Sequence, residues 1–304
     1  MLRGLIGRKR LGIPLIVTLC VLLFPDLLIA HAEEEEKVNE MQETKGAVTL
    51  GADSFYRFLP AAKANAQPGK VGIQEAGAQY SYEFKAFGKL PVELSLENSY
   101  KGIENSTRVN LPAHLVGLIT DIELTMPFFN FENTYFRLGV SPSFLGDDWD
   151  FPASTFRIPS RYYIIYRPNT KWTFVAGAAY LPEFKDEVLP IVAFIYKPND
   201  RLSFNITPDR PNVSYAINDR VTLFAEGGGS FGEYEVKRDS QRRVVLEYRE
   251  IRAGCGMKYK VNKLMQASLQ AGGAFGRRLE YRDNLGKVEI KNGFYTECRL
   301  EISI

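Results

Sequence analysis

From Gly46 onward the chain alternates between apolar and polar positions. The last segment shows this best. Val288, Ile290, Phe294, Cys298, Leu300, Ile302 and Ile304 share one parity, while Glu289, Lys291, Tyr295, Glu297, Arg299, Glu301 and Ser303 share the other. Successive side chains of a strand point to opposite faces, so this pattern predicts a strand with one apolar and one polar face. The same division recurs where Ala76, Ala78, Tyr80, Tyr82 and Phe84 alternate with Glu75, Gly77, Gln79, Ser81 and Glu83. It recurs again around Leu94, Leu138, Ala253 and Leu269. No helical period of any length is present. Several of these stretches run well beyond the five or six residues or so of a typical soluble strand.

Four segments repeat a second pattern. Tyr166 precedes Asn169 and Trp172, Tyr196 precedes Asn199 and Leu202, Tyr215 precedes Asn218 and Val221, and Tyr259 precedes Asn262 and Met265. Each reads as a tight hairpin turn, because Asn tolerates the left-handed backbone that such turns use. Tyr166, Tyr196, Tyr215 and Tyr259 all fall on the apolar parity. Four rings at one height make an aromatic girdle, with rings in the lipid interface and hydroxyls toward water. The connections between these turns are longer and more polar: 60–69, 102–109, 146–158, 237–244 and 281–287. Short turns on one side and long loops on the other is the outer-membrane pattern.

Counting the alternating runs gives about fourteen strands, near 46–59, 70–86, 90–101, 110–126, 134–145, 158–167, 171–183, 188–197, 200–207, 212–217, 220–236, 245–260, 264–281 and 288–304. The fold expected is all-β, an antiparallel up-and-down transmembrane β-barrel spanning residues 46–304. The ninth and tenth strands are short for a membrane span, which needs about 9–11 residues. Twelve strands is therefore the alternative.

Residues 1–32 read as a secretory signal peptide. Arg3, Arg8, Lys9 and Arg10 are followed by the apolar run Leu11 to Leu23, then by Ala30, His31 and Ala32 as a cleavage site. Residues 33–45 are charged, contain few apolar residues and read as a disordered acidic periplasmic tail. Removing the signal leaves 34 Lys and Arg against 35 Asp and Glu, a balance that excludes a basic nucleic-acid binder. Two cysteines remain, Cys255 and Cys298, two strands apart and beyond disulfide reach.

The turn repeat, the segment from Val213 through Tyr215 to Arg220, and the closing amphipathic strand resemble the bacterial domain-of-unknown-function family numbered 6268. The resemblance runs from about residue 70 to the end. It implies a barrel in the bacterial outer membrane, with outer-membrane lipid and the barrel-assembly machinery as partners. It carries no catalytic or binding residue. The last residue, Ile304, departs from the Phe that usually ends the assembly signal of such barrels.

Charges as dense as these cannot face lipid, so they are assigned to the lumen. The second to fourth strands supply Glu75, Glu83, Glu93, Glu97, Asp121 and Glu123 against the base Lys85. The fifth and sixth supply Arg137, Arg161 and Arg167. The last three carry both signs: Glu250, Arg252, Lys258, Arg278, Glu280, Glu289, Lys291, Glu297, Arg299 and Glu301. An acidic wall facing an arginine wall would set a field across the lumen. His114, the one histidine after the signal, falls on the lipid-facing parity. Gly227 to Gly232 matches a dinucleotide fingerprint by letter, but a strand follows it rather than a helix, so no cofactor is expected. Asp147, Asp148 and Asp150 offer oxygen ligands for calcium, although a solvated loop explains them as well. The functional expectation is a narrow channel or small-solute transporter, not an enzyme. The alternatives are a sealed structural or adhesion barrel, or a lipid-active enzyme using His114.

Overall fold

The computed structural model describes residues 49–87, 90–182, 187–208, 210–239, 242–282 and 285–304; the signal segment and the acidic tail lie outside them. The described chain forms fourteen staves. They are β1 (Thr49–Lys63), β2 (Lys70–Ala86), β3 (Leu90–Asn105), β4 (His114–Pro127), β5 (Thr134–Val140 and Ser143–Gly146), β6 (Phe156–Arg157 and Ser160–Tyr166) and β7 (Trp172–Tyr180). There follow β8 (Val188–Tyr196), β9 (Leu202–Ile206), β10 (Asn212–Ala216), β11 (Val221–Asp239), β12 (Arg242–Lys260), β13 (Met265–Tyr281) and β14 (Lys287–Ile290 and Gly293–Ser303). Each stave pairs antiparallel with its sequence neighbours. The ring closes where β14 meets β1, from Gly51 opposite Ser303 to Phe58 opposite Thr296. The molecule is thus a closed antiparallel fourteen-stranded barrel. β9 and β10, five residues each, belong to the ring, which removes the twelve-strand alternative.

Local chemistry explains the interruptions. β5 and β6 break beside Pro142 and Pro159, which lack the N–H a ladder needs. Their carbonyls stay useful, accepting from the amides of Thr120 at 2.9 Å and Ser141 at 2.8 Å. The four Asn turns all lie at one end of the barrel, termed here the turn end. Their asparagines do not adopt positive φ as expected. Each side-chain oxygen instead accepts from the backbone amides two and three residues on: Lys171 and Trp172 onto Asn169, Arg201 and Leu202 onto Asn199, Arg220 and Val221 onto Asn218, and Leu264 and Met265 onto Asn262, all at 2.8–3.0 Å. The side chain completes the turn that the backbone would otherwise close.

The opposite end, termed the loop end, departs from the expectation in three ways. Most of the connection expected over 237–244 is strand, because β11 and β12 run to nineteen residues each, ending at Asp239 and starting at Arg242. On β13, Gly276 at φ +57° and Arg277 together oppose the single residue between Arg249 and Ile251. This bulge reverses the parity beyond it. β14 breaks between Ile290 and Gly293 with the same consequence. Arg278, Glu280, Glu289 and Lys291, assigned to the lumen by simple alternation, therefore lie on the outer surface. Leu279, Tyr281, Val288 and Ile290 turn inward and are buried.

These inward residues complete a hydrophobic core that fills the loop-end lumen. Leu59, Val71, Ile73, Leu115, Val236 and Leu246 pack there with 0–1% of their surface exposed. At this level the wall narrows, because Gly146 of β5 sits directly opposite Glu235 of β11 and bypasses β6–β10.

Candidate functional site

The lumen beneath this core is polar, and its charges meet in register. Arg57 on β1 stands opposite Glu75 of β2 and opposite Glu297 of β14, and Glu75 stands opposite Lys101 of β3. Side chains follow this register. Arg57 pairs with Glu75 and donates from Nε to Glu297 at 2.8 Å, while Lys101 Nζ reaches Glu75 at 2.9 Å. Four staves thus carry one ladder of alternating sign. From the far wall Arg252 approaches Glu75 at 3.6 Å and Glu250 at 2.8 Å. Lys101 also reaches Ser230 at 3.3 Å. The ladder therefore bars the lumen, and its members are nearly or wholly buried.

Nearer the turn end, Glu83, Glu93 and Glu123 stand in a row across β2, β3 and β4. The expected field between an acidic wall and an arginine wall is cancelled locally. Arg137 binds Glu123 at 3.1 Å, and Arg161 binds Glu123 at 3.0 Å and also pairs with Asp121. Gly139 lies between Arg161 and Glu123 and leaves them room to meet. Arg299 binds Asp53 at 2.6 Å and Glu297 at 3.1 Å. Glu97 faces the same space from β3. Arg167 follows the end of β6 at the turn-end rim, 5.7 Å from the Tyr135 ring.

Between the ladder and the turn end lies a chamber of about 820 Å³. Its charged side includes the pairs of Arg161 with Asp121, Arg57 with Glu297 and Arg299 with Asp53, together with Arg210 and Glu226 joined at 2.7 Å. Its other side is apolar: Ala179, Leu181, Leu189, Pro190 and Ile191 of β7, β8 and their ends. Alternation could not reveal this wall, because β7 and β8 are apolar on both faces. The available signal was the near-continuous apolar run from Phe174 to Leu181 and from Val188 to Ile195, which reads as strands buried on two sides.

The remaining candidates take simple roles. Tyr166, Tyr215 and Tyr259 are exposed on the outer surface beside the Asn turns. Tyr196 stacks on Trp172 with ring centres 4.1 Å apart. His114 stacks on Tyr100 at 5.7 Å, and among the described residues no serine hydrogen-bonds to it. Asp147 accepts from the Lys237 amide at 2.8 Å, and Asp148 pairs with the Lys237 ammonium at 3.2 Å. These contacts dock the loop onto β11. Among the described residues no group of three His, Cys, Asp or Glu is placed to hold a metal. Cys255 and Cys298 are free thiols on the outer surface.

Residues 158–299, from β6 to β14, match the family described as a domain of unknown function, DUF6268. That span is shorter than the resemblance from about residue 70 suggested. No curated protein matches the chain. Among solved structures, an outer-membrane channel from Pseudomonas putida F1 aligns at 12% identity and TM-score 0.46, covering 86% of this chain and 97% of that one. A FadL homologue from Pseudomonas aeruginosa aligns at 10% identity and TM-score 0.40, covering 84% and 89%. The toluene transporter TodX from Pseudomonas putida aligns at 11% identity and TM-score 0.34, covering 87% and 90%.

Proposed function

We propose that this barrel spans the outer membrane of a two-membrane bacterium and passes small solutes that have both an apolar and a polar part. The observation that carries this reading is the chamber, with its apolar wall opposite a wall of paired charges. A volume of about 820 Å³ lies within the range of small-molecule sites. Its chemistry orients a bound molecule, with the apolar body against Leu189 and Ile191 and the polar end toward the ladder. The membrane location rests on the exposed apolar outer surface, the aromatic side chains beside the turns and the charged interior, an inversion of the soluble pattern. No chemistry at His114 enters this reading; the barrel binds a solute and passes it on unchanged.

The test uses cells with and without the barrel, mixed with N-phenyl-1-naphthylamine, a neutral aromatic amine that fluoresces on entering membrane interiors. Cells carrying the barrel should brighten faster. Equal rates, with the barrel present and folded, would remove the transport reading. The filled loop-end lumen favours a second reading, a sealed structural barrel acting through its loops, and equal rates would support it.

A further inference from the structure

We infer that the gap in the wall above the β9–β10 hairpin is a lateral doorway, through which a neutral amphipathic molecule dissolved in the membrane reaches the chamber. The inference rests on the membrane-spanning, solute-passing reading above and supplies its route and its substrate class.

The gap follows from strand length. A tilted strand needs about 9–11 residues to cross the hydrocarbon, and β9 and β10 have five each. Their lower ends are fixed at the turn end by the Asn199 and Asn218 turns, so the wall that is missing lies toward the loop end. There, among the described residues, β8 has no β9 partner above the pair Phe194–Ile206. On the other side the Gly227 amide still donates to the Pro211 carbonyl at 2.8 Å, and above that β11 has no β10 partner among the described residues. The wall resumes only where Glu235 meets Gly146 and accepts from Ser154 at 2.7 Å.

The chamber extends to the edge of this gap. Phe231 points outward and is 58% exposed, yet it lines the chamber, as do its outward-facing neighbours Gly227 and Gly229. The Phe231 ring lies over Gly229, where a side chain would collide with it. The opposite jamb is Leu189, Pro190 and Ile191, so both jambs are apolar. An open sheet edge is tolerated at membrane depth only where it lines a cavity. The loop-end route is closed by the hydrophobic core, which leaves the side and the turn end as ways in.

The occupant follows from the charges. The chamber is lined by five arginines and five acids, most of them paired with one another. It offers hydrogen-bonding groups of both kinds with no net charge, which fits a hydroxyl or carbonyl end better than an ion. The apolar jambs would admit the body of such a molecule and reject a charged one.

The test places one tryptophan in the folded barrel after Trp149→Phe and Trp172→Phe. Ile191→Trp puts it inward at the doorway. Gln79→Trp puts it inward behind β2, which is paired on both sides. In vesicles of lipid brominated on the acyl chains, the tryptophan at 191 should lose most of its fluorescence while that at 79 keeps most of its own. Equal quenching at the two positions would overturn the doorway. In ordinary vesicles 1-naphthol should quench the tryptophan at 191 saturably, and naphthalene-1-sulfonate should not. Equal quenching by the two probes would overturn the neutral-end assignment. The bromine measurement requires no transport. A barrel that passes no solute but shows the quenching difference would therefore fail as a transporter while retaining the doorway.

Discussion

The two sides of the barrel wall use strand alternation differently. Up to the level of the ladder, β1–β4 and β11–β14 have one face that is apolar toward the outside and another that carries charges pairing across neighbouring staves, such as Arg57 with Glu75 and Glu297. Those staves run on past the ladder and pack an apolar core between them. In β7–β10 the inner face is also apolar or neutral, the staves are short, and the wall ends early. Paired charges and filled volume make the first side rigid and closed. The second side lacks both and is where the chamber meets the outside.

The sharpest way to break the comparison is to remove the charge shared by the long staves. Glu75→Ala leaves Lys101 without its carboxylate and Arg57 with only one, inside a fully buried layer. Breaking a buried ion network in this way costs about 3–5 kcal/mol. Glu83→Ala, at an exposed position on the same face of β2, should stay within about 0.5 kcal/mol. Urea unfolding of the two variants in lipid vesicles decides the matter. Equal losses would mean that the ladder contributes no more than any lumen charge.

The short-stave side is tested next, on its outer face. Val192 on β8 is 80% exposed and faces outward, whereas Ile191 faces the chamber. An arginine facing lipid near the bilayer midplane costs about 2–4 kcal/mol. Val192→Arg should lose that much in vesicle unfolding, and Ile191→Arg less than half of it. The reverse order would turn the strand over and place the apolar wall outside.

A smaller effect is expected at the turns. Asn262→Ala removes two side-chain acceptor bonds, to the amides of Leu264 and Met265. The site is exposed, so the loss should be about 1 kcal/mol. Asn169→Ala is far away in sequence and shares no partner with it, so the double variant should lose roughly the sum, about 2 kcal/mol. A loss that doubles for the β12–β13 turn but vanishes for the β6–β7 turn would show that only the long staves depend on their turns.

These contrasts also explain what the sequence could convey. Fourteen staves are legible because period-2 alternation survives over most of the chain, and the four Tyr–Asn repeats mark one rim. The positions at which parity reverses are not legible. A single extra residue at Gly276 turns every later side chain of β13 to the opposite face. Val288 and Ile290 look lipid-facing for the same reason that they fit a core, since burial in protein and burial in lipid select the same residues. The charged ladder needs partners from five staves, Arg57, Glu75, Lys101, Arg252 and Glu297. Alternation assigns each to a face but not to a height. The apolar chamber wall left a trace, the runs 174–181 and 188–195, but a period-2 reading discards runs that do not alternate.

The smallest expected effect is a null one, and it separates an axial pore from a side-opening chamber. Arg137→Gln, Arg161→Gln and Arg167→Gln together would release Glu123 and Asp121 from their partners. In an open axial pore this would shift selectivity toward cations, because charges in a narrow low-dielectric passage are poorly screened. Here an ion must also pass the layer of Arg57, Glu75, Lys101 and Arg252, and then a packed core of Leu59, Val71, Val236 and Leu246. Shedding water in that core costs far more than the lumen charges can return. Single-channel recordings across planar bilayers should therefore show no steady current for the wild type, and none for the triple variant. Steady current in both, with a cation shift in the variant, would place the three arginines on an open axial path. It would also make the loop-end core a movable plug rather than a fixed part of the wall.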